Sequence, residues 1–276
     1  TGHPEFDIFR GVENTSGPLG QGHVFAIGAA IAAKFLAAHT GNPSFEKETI
    51  YAYISDGGIE EEISQGGARV ASVLGLDNLI MFYDSNDIQL STETKEVLNE
   101  DTAAKYRALG WEVFEINGND AAQIRSAIEA AQKVKGKPSL IIGKCIMGKG
   151  ALKADGSSYE ANCKTHGAPL GGDAFVNTVK NLGGDPQNPF QIFDDVKDLY
   201  AKRAAELETI CAERYAEEKA WAEANPEKAA LQAEWFSGKA PKIDWSKCVQ
   251  KDNDATRSAS AACLSVLAEQ VPNMIC

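Results

Sequence analysis

The chain has 276 residues, of which 43% are hydrophobic and 24% are charged, a balance typical of a globular protein. Its net charge of −12 argues against a general nucleic-acid surface, which needs an excess of basic side chains. No apolar run approaches the roughly 20 residues of a membrane span, because the longest, Val24 to Ala38, is interrupted by Lys34. We therefore expect neither a nucleic-acid partner nor a membrane partner.

The cysteines and the chain ends lead to two further predictions. Six cysteines without a CxxC pair, and without a secretion signal, predict reduced thiols in a cytoplasmic protein. The chain begins at Thr1 in a loop-like stretch and stops at Cys276 on an apolar pair. We expect it to be a piece of something longer.

Short apolar runs alternate with helix-period runs through the first half of the chain, which predicts a parallel sheet covered by helices. The fold class expected is α/β, with an open, mostly parallel sheet, helices on both faces, and a helical extension and linker after it. The runs are nearly continuous, as in strands buried on both faces, and Asp120 is a plausible N-cap. Predicted strands are 51–55, 78–83, 112–116 and 139–142, and predicted helices are 22–39, 59–74, 100–109 and 120–134.

The second half of the chain changes character. Residues 147–172 are polar and Gly-rich without periodicity, and loops of this length are usually functional or disordered. Residues 195–235 are rich in Ala, Glu and Lys, which predicts an amphipathic helical region broken near Pro226. Its charge run is most simply a solvated face. Residues 238–254 are interpreted as a linker, and another helix begins at about residue 255.

Polar groups follow two predicted strands that we expect to be neighbours. Asp56 comes directly after the first strand, and Asn86 follows the second. Ligands of open α/β sheets bind just beyond the carboxyl ends of strands, and Mg²⁺ prefers oxygen ligands. Gly57 and Gly58 would let backbone amides approach a phosphate. The alternative is that Asp56 caps a helix and Asn86 lies in a turn.

Two loops are further candidates. Residues 16–23, SGPLGQGH, lead into an Ala-rich helix and suit a loop whose backbone approaches a flat ligand, although a simple tight turn has the same pattern. His166, near the end of the long loop, has a side chain suited to proton transfer near neutral pH, although a loop histidine without a role is equally compatible. His23 and His39, on an apolar helix, are interpreted as structural.

Together these motifs resemble the transketolase family, specifically its domain that binds the diphosphate of thiamine diphosphate. The motifs occur in the same order as in the family and cover nearly the whole chain. They are GHPE at 2–5, GPLGQG at 17–22, the DG…N element from Asp56 to Asn86, ALGWEV at 108–113, HGAPL at 166–170 and ATR at 255–257. The resemblance implies transfer of a two-carbon ketol unit between sugar phosphates, in the pentose phosphate pathway, by a homodimer.

The resemblance also implies site residues and cofactors. The cofactors are thiamine diphosphate and Mg²⁺, with Ca²⁺ as a substitute ion. Domains follow as 1–190 for the cofactor domain, 191–237 for the helical extension, 238–254 for the linker, and 255–276 for the start of a pyrimidine-binding domain. The implied metal ligands are Asp56, Asn86 and Ile88; the cofactor contacts are Gly17, Leu19, Asp56, Gly57, Asn86, Leu90, Met147 and His166; the substrate contacts are His3, His166 and Arg257; and the catalytic residues are His166 and Glu61.

The chain departs from the family in several places. Ser55 replaces the first glycine of the usual GDG, Met147 stands where the family often has Ile, and the loop before His166 is a few residues longer. The family's amino-terminal part and most of its pyrimidine-binding domain, with the activating glutamate, are missing. We expect the fragment alone to be inactive. Alternatives are another thiamine-diphosphate enzyme, of the deoxyxylulose-phosphate or dihydroxyacetone synthase type, and a non-catalytic or split-subunit homologue.

Overall fold

The computed structural model describes residues 5–15 and 17–275. Its centre is a four-stranded parallel sheet in the order β1-β2-β4-β3. The strands are β1 Ile50–Ser55, β2 Leu79–Ser85, β3 Glu112–Asn117 and β4 Ser139–Lys144. All four strands begin and end within two residues of the ranges predicted from sequence.

Ten helices accompany the sheet in the described part of the chain. Asp101 and Asp120 cap α5 and α6, because their carboxylates accept hydrogen bonds from backbone amides of the first turn. The helices are α1 Gln21–Thr40, α2 Pro43–Glu46, α3 Asp56–Glu60, α4 Glu62–Val73, α5 Thr102–Ala108, α6 Ala121–Ala131, α7 Gly172–Asn181, α8 Asp194–Ala224, α9 Pro226–Phe236 and α10 Thr256–Gln270.

Three features of these helices were not predicted from the sequence. The single helix expected over 59–74 is two, because Glu61 has extended dihedral angles (φ −56°, ψ 137°) between α3 and α4. The short helix α2 was not predicted, although Asn42 caps it and Pro43 opens it. Helix α7 was also missed, since the predicted loop of 147–172 runs directly into it.

Helices cover both faces of the sheet, as predicted. On one face, Leu79, Met81 and Tyr83 of β2 pack with residues of α1, α4 and α5. On the other face, Ile80 of β2 and Ile141 of β4 pack with Ala127 and Ala131 of α6. The alternation along β2 follows from the two-residue period of strand side chains. A strand covered on both sides must be apolar throughout, which is why its sequence reads as one continuous run.

Helix α1 is long and apolar enough, by length and composition, to cross a membrane. This was not predicted, because Lys34 interrupts the apolar run in the sequence. In the structure, Ile27 and Ala30 of this helix belong to the buried core formed with the sheet. A core helix of a globular domain passes the same test of length and composition.

The chain divides into two compact units, one ending at Glu213 and the other beginning at Arg214. The sheet and all the described candidate site residues except Arg257 belong to the first unit. The second contains α9, a 3₁₀ turn at Trp245–Lys247, and α10. The break in the long helical region lies at Asn225, directly before Pro226, as predicted.

Candidate functional site at the strand ends

The carboxyl ends of three strands meet at one edge of the sheet. Ser55 of β1 pairs with Asp84 of β2, and Ser85 of β2 pairs with Lys144 of β4. The backbone amide of Cys145 then donates to the Ser85 carbonyl at 3.0 Å. Asp56, Asn86 and Cys145 therefore follow three adjacent strands, which is the location expected for a ligand site in an open parallel sheet.

The carboxylate of Asp56 is buried and held by two donors. The residue is 1% exposed. One carboxylate oxygen accepts a hydrogen bond from the Tyr83 hydroxyl at 2.6 Å, and the other accepts one from the Asn86 backbone amide at 3.0 Å. Burial, followed by the hydrogen bond to Asp56, raises the pKa of Tyr83 far above its usual value. The tyrosine therefore stays protonated and remains a donor to the carboxylate.

The negative charge of Asp56 has no cationic partner in the described part of the chain. No lysine or arginine side chain described there forms an ion pair with it, and a buried carboxylate is normally paired or bound to a metal. The nearby Glu60 adds to the local acidity. Its pKa is raised first by its own burial and also by the charge of Asp56, against the lowering effect of a hydrogen bond from Gln89. The site would therefore gain stability from a bound cation.

Asn86 is oriented by its neighbours. Its side-chain nitrogen donates to Asp84 at 3.2 Å, and its side-chain oxygen accepts from the Ile88 backbone amide at 3.0 Å. Asp84 also accepts from the Tyr53 hydroxyl at 2.6 Å. These contacts fix the direction of the carboxamide, and its oxygen retains a second lone pair for another partner.

The predicted donor set is compatible with Mg²⁺. It would consist of the Asp56 carboxylate, the Asn86 carboxamide oxygen and the backbone carbonyl of Ile88, and it stays a prediction. In the described residues, no group of three or more His, Cys, Asp or Glu side chains could hold a metal ion, so a protein-only metal cage is not found there. Mg²⁺ commonly binds through one or two carboxylates and takes its other ligands from phosphates and water. A single buried carboxylate suits that pattern.

The Gly-rich loop before α1 lies against the Asp56 segment. A Cβ atom added to Gly57 would lie 3.1 Å from the Leu19 side chain, and one added to Gly20 would lie 2.7 Å from Ile63 and 3.1 Å from the Glu61 Cβ. Gly20 also has φ +83°, where L side chains are strained. The structure thus brings Leu19, Gly57 and Glu61 together, and it shows why glycine is needed at the close approach.

The structure shows fewer contacts for the other predicted cofactor residues. Leu90 is 74% exposed, and Gly17 is half-buried in the same loop as Leu19. The Met147 carbonyl accepts from the Ala161 backbone amide at 2.9 Å, which connects the start of the long loop to its middle. His166, near the end of the same loop, is exposed. All of these assignments stay predictions.

Two predicted substrate contacts lie elsewhere. Arg257 is exposed in the first turn of α10, which belongs to the second compact unit. His3 lies outside the described residues. Their proposed contacts with substrate therefore stay predictions from the resemblance.

Sequence reasoning missed the residues that support the site. Tyr83, Asp84 and Tyr53 were treated as ordinary strand residues or were not considered. Cys145 was noted only as a cysteine, yet it lies beside Asp84, and its burial and that carboxylate raise the pKa of its thiol to about 11. A tyrosine at the end of an otherwise apolar run was the available signal, since a buried hydroxyl usually has a hydrogen-bond partner.

Comparison with known proteins gives one consistent family. Residues 1–241 match the family model described as transketolase, thiamine diphosphate binding domain. A probable transketolase of Streptococcus pneumoniae is 36% identical over 284 residues, covering 99% of this chain and 42% of that protein. This chain therefore spans about two fifths of that relative's length.

Solved structures agree in fold. A transketolase from Leishmania mexicana superposes with a TM-score of 0.83 at 33% identity, over 98% of this chain and 40% of that chain. A Pichia stipitis transketolase, solved in complex with sedoheptulose-7-phosphate, superposes with a TM-score of 0.80 at 31% identity, over 94% of this chain and 38% of that chain.

Proposed function

Because the chain belongs to the transketolase family and matches its thiamine diphosphate binding domain, we propose that it supplies the diphosphate- and Mg²⁺-binding part of that cofactor site. The observation that carries this proposal is the buried carboxylate of Asp56, which two donors hold in place and which lacks a cationic partner among the described residues. A buried carboxylate without a cation lowers the stability of the fold, and a bound cation would remove that penalty.

Each residue of the site has a physical role in this proposal. Asp56 would provide the anionic metal ligand, and Asn86 and the Ile88 carbonyl would provide neutral oxygen ligands. Tyr83 would hold the Asp56 carboxylate in one orientation, because its hydroxyl is buried and stays protonated. Gly57 would let the backbone approach the diphosphate without a side chain in the way.

Other residues would shape the bound cofactor and the substrate. Leu19, Leu90 and Met147 would provide apolar contacts to the cofactor, and His166 would donate a hydrogen bond to the diphosphate or to a substrate oxygen that gains charge. Glu61 would lie at the subunit interface. Thiamine diphosphate, when bound, supplies the electron sink for cleavage of a carbon–carbon bond, while the protein positions it.

We further propose that the parent protein transfers a two-carbon ketol unit between sugar phosphates as a cytoplasmic homodimer in the pentose phosphate pathway. The sugar-phosphate substrate class is supported by the Pichia stipitis relative, whose structure was solved with sedoheptulose-7-phosphate. The 276 residues alone would be inactive, because they span about two fifths of the relatives they match.

The metal assignment can be tested by calorimetry. Thiamine diphosphate is titrated into the chain with and without Mg²⁺, and the same titrations are made with Asp56→Ala. We expect Mg²⁺-dependent binding to the unsubstituted chain and none to the variant. Asp87→Asn is the matched control, since Asp87 lies in the same loop, is exposed and pairs with Lys144, and Asn tolerates its φ of +65°. Equal Mg²⁺-dependent affinity for Asp56→Ala would exclude Asp56 as a ligand.

The proposed inactivity is tested separately. The purified chain is supplied with a ketose phosphate, an aldose phosphate, Mg²⁺ and thiamine diphosphate, and the sugar products are measured. We expect no ketol transfer. Detectable transfer by the chain alone would contradict the proposed inactivity but would leave the metal assignment intact.

A further inference from the structure

Two cysteines meet where the linker lies on the last helix. Cys248 directly follows the 3₁₀ turn at Trp245–Lys247, and Cys263 lies in the middle of α10. Their sulfur atoms are 3.5 Å apart, and both residues are half-buried. Neither residue takes part in the cofactor site proposed above. Among the described cysteines, they are the pair in sulfur–sulfur contact.

The contact is supported on both sides by hydrogen bonds between the linker and the helix. Before it, the Asp244 backbone amide donates to the Gln270 side chain at 2.8 Å. After it, the Gln250 side chain donates to the Ala259 carbonyl at 3.2 Å. The linker therefore runs antiparallel to α10 across the contact. Because these hydrogen bonds hold the linker on α10 on both sides of Cys248, they keep the two sulfur atoms near each other.

The distance between the two sulfur atoms suits a bond between them. A disulfide requires an S–S distance of about 2.05 Å, so each sulfur must move by less than ~1 Å from its place. Gln250 donates hydrogen bonds to both sulfur atoms, at 3.2 Å to Cys248 and 3.5 Å to Cys263. The hydrogen bond with Cys248 and burial raise the pKa of the Cys263 thiol, and the Gln250 contact opposes that rise. The thiolate is the form that reacts with a disulfide, so we expect exchange to be faster at higher pH.

We propose that Cys248 and Cys263 form a reversible disulfide by exchange with a small-molecule disulfide such as glutathione disulfide. One cysteine thiolate attacks a sulfur of the oxidant, which forms a mixed disulfide and releases one small thiolate. The second cysteine loses its proton and attacks the protein sulfur, which releases the second small thiolate. The protein loses two electrons and two protons, and the oxidant is reduced to two thiols.

The bond would fasten the linker to the helix that carries Arg257. It closes a loop from Cys248 to Cys263 that contains the whole first turn of α10, including Arg257. In the reduced form no covalent bond joins Cys248 to Cys263, and hydrogen bonds of Asp244 and Gln250 connect the linker to α10. Oxidation thus limits how far the linker can separate from a residue that the family resemblance assigns to substrate binding, which makes this pair a redox-sensitive clip.

The test uses the full 276-residue chain in buffers of defined glutathione to glutathione disulfide ratio. Remaining thiols are alkylated, and the protein is digested and analysed by mass spectrometry. We expect one Cys248–Cys263 link per chain, two fewer alkylated thiols than in the reduced chain, and full reversal by dithiothreitol. The linked fraction should not depend on protein concentration, because the reaction is intramolecular.

Matched variants separate the clip from general cysteine oxidation. Cys211→Ser removes an exposed cysteine of α8 and should leave the link unchanged. Cys248→Ser should abolish it and leave Cys263 carrying glutathione, with the circular dichroism spectrum of the unsubstituted chain. The proposal would be overturned by glutathione adducts on both cysteines without a link, by a preference for links through other cysteines, or by covalent dimers that increase with protein concentration.

Discussion

Replacing Asp56 with Asn should make the chain at least as stable as before without ligand, and less stable than the unsubstituted chain with ligand. Asn has the shape of Asp but no charge. Its oxygen can still accept from the Asn86 amide, and its nitrogen can donate to the Tyr83 hydroxyl. The substitution therefore removes the buried charge while keeping two hydrogen bonds.

The magnitude follows from the two contacts and the burial. A hydrogen bond to a charged group contributes about 1.5–3 kcal/mol and a neutral one about 1 kcal/mol, so two weakened bonds cost the variant about 2 kcal/mol. The effective penalty for burying an ion is several kcal/mol, and Asp56 is 1% exposed without a described cationic partner. We expect Asp56→Asn to be more stable than the unsubstituted chain by about 0–2 kcal/mol in the absence of ligand.

Ligand should reverse this order. A ligand present at about 100 times its Kd stabilises the form that binds it by about 2.7 kcal/mol. Mg²⁺ with thiamine diphosphate should give that gain to the unsubstituted chain and not to Asp56→Asn. The sheet unit would then be less stable in the variant by about 1–3 kcal/mol.

The assay is hydrogen–deuterium exchange of the β2 amides, Leu79–Ser85, with and without Mg²⁺ and thiamine diphosphate. Exchange measures the opening free energy of this sheet alone. A local measurement is needed because the chain has two compact units, whose unfolding a global measurement would combine. Tyr83→Phe is the matched control. It keeps the charge and loses one donor, so it should be destabilised by about 1.5–3 kcal/mol in the absence of ligand. The reasoning is refuted if Asp56→Asn exchanges faster than the unsubstituted chain without ligand, or if ligand protects it equally well.

Two further substitutions test the core around the site. Tyr106 is fully buried, its hydroxyl has no hydrogen-bond partner among the described residues, and burial raises its pKa from 10.0 to about 12. The free energy of unfolding of Tyr106→Phe should therefore be higher by about 1 kcal/mol at neutral pH. Between pH 10 and 12 the free energy of unfolding of the unsubstituted chain should fall by up to about 2.7 kcal/mol more than that of this variant, because the tyrosine ionises at lower pH in the unfolded chain. Urea unfolding that gives the same pH dependence for both proteins would contradict this. Gly143→Ala would drive a methyl group into the Phe82 ring and to 3.1 Å from the Gly118 Cα, so urea unfolding should show a loss of about 1–3 kcal/mol. Gly28→Ala is its control, because nothing lies within 4 Å of the added Cβ and helix α1 should gain about 0.5–1 kcal/mol; a loss there, or no loss at Gly143, would refute the packing argument.

The elements of the fold were predictable because their signals are local. Strand β2 is one apolar run, and helix α6 has an N-cap at Asp120 and a helical period. The extended backbone at Glu61, between α3 and α4, was not predicted. No proline marks that break. The Gly-rich loop packs against it, so the break depends on contacts with residues some 40 positions earlier in the chain.

The sequence by itself determined the α/β class, the strand ends and the motif order, which sufficed to indicate the family. Only the tertiary structure decided what surrounds those ends. Tyr83 meets Asp56 because β1 and β2 pair in the register Ile54 to Tyr83, and a shift of one residue would have turned that hydroxyl to the other face of the sheet. Cys248 and Cys263 meet because hydrogen bonds hold the linker along α10. Local patterns specify elements, whereas contacts between elements depend on register and packing that the linear sequence does not display.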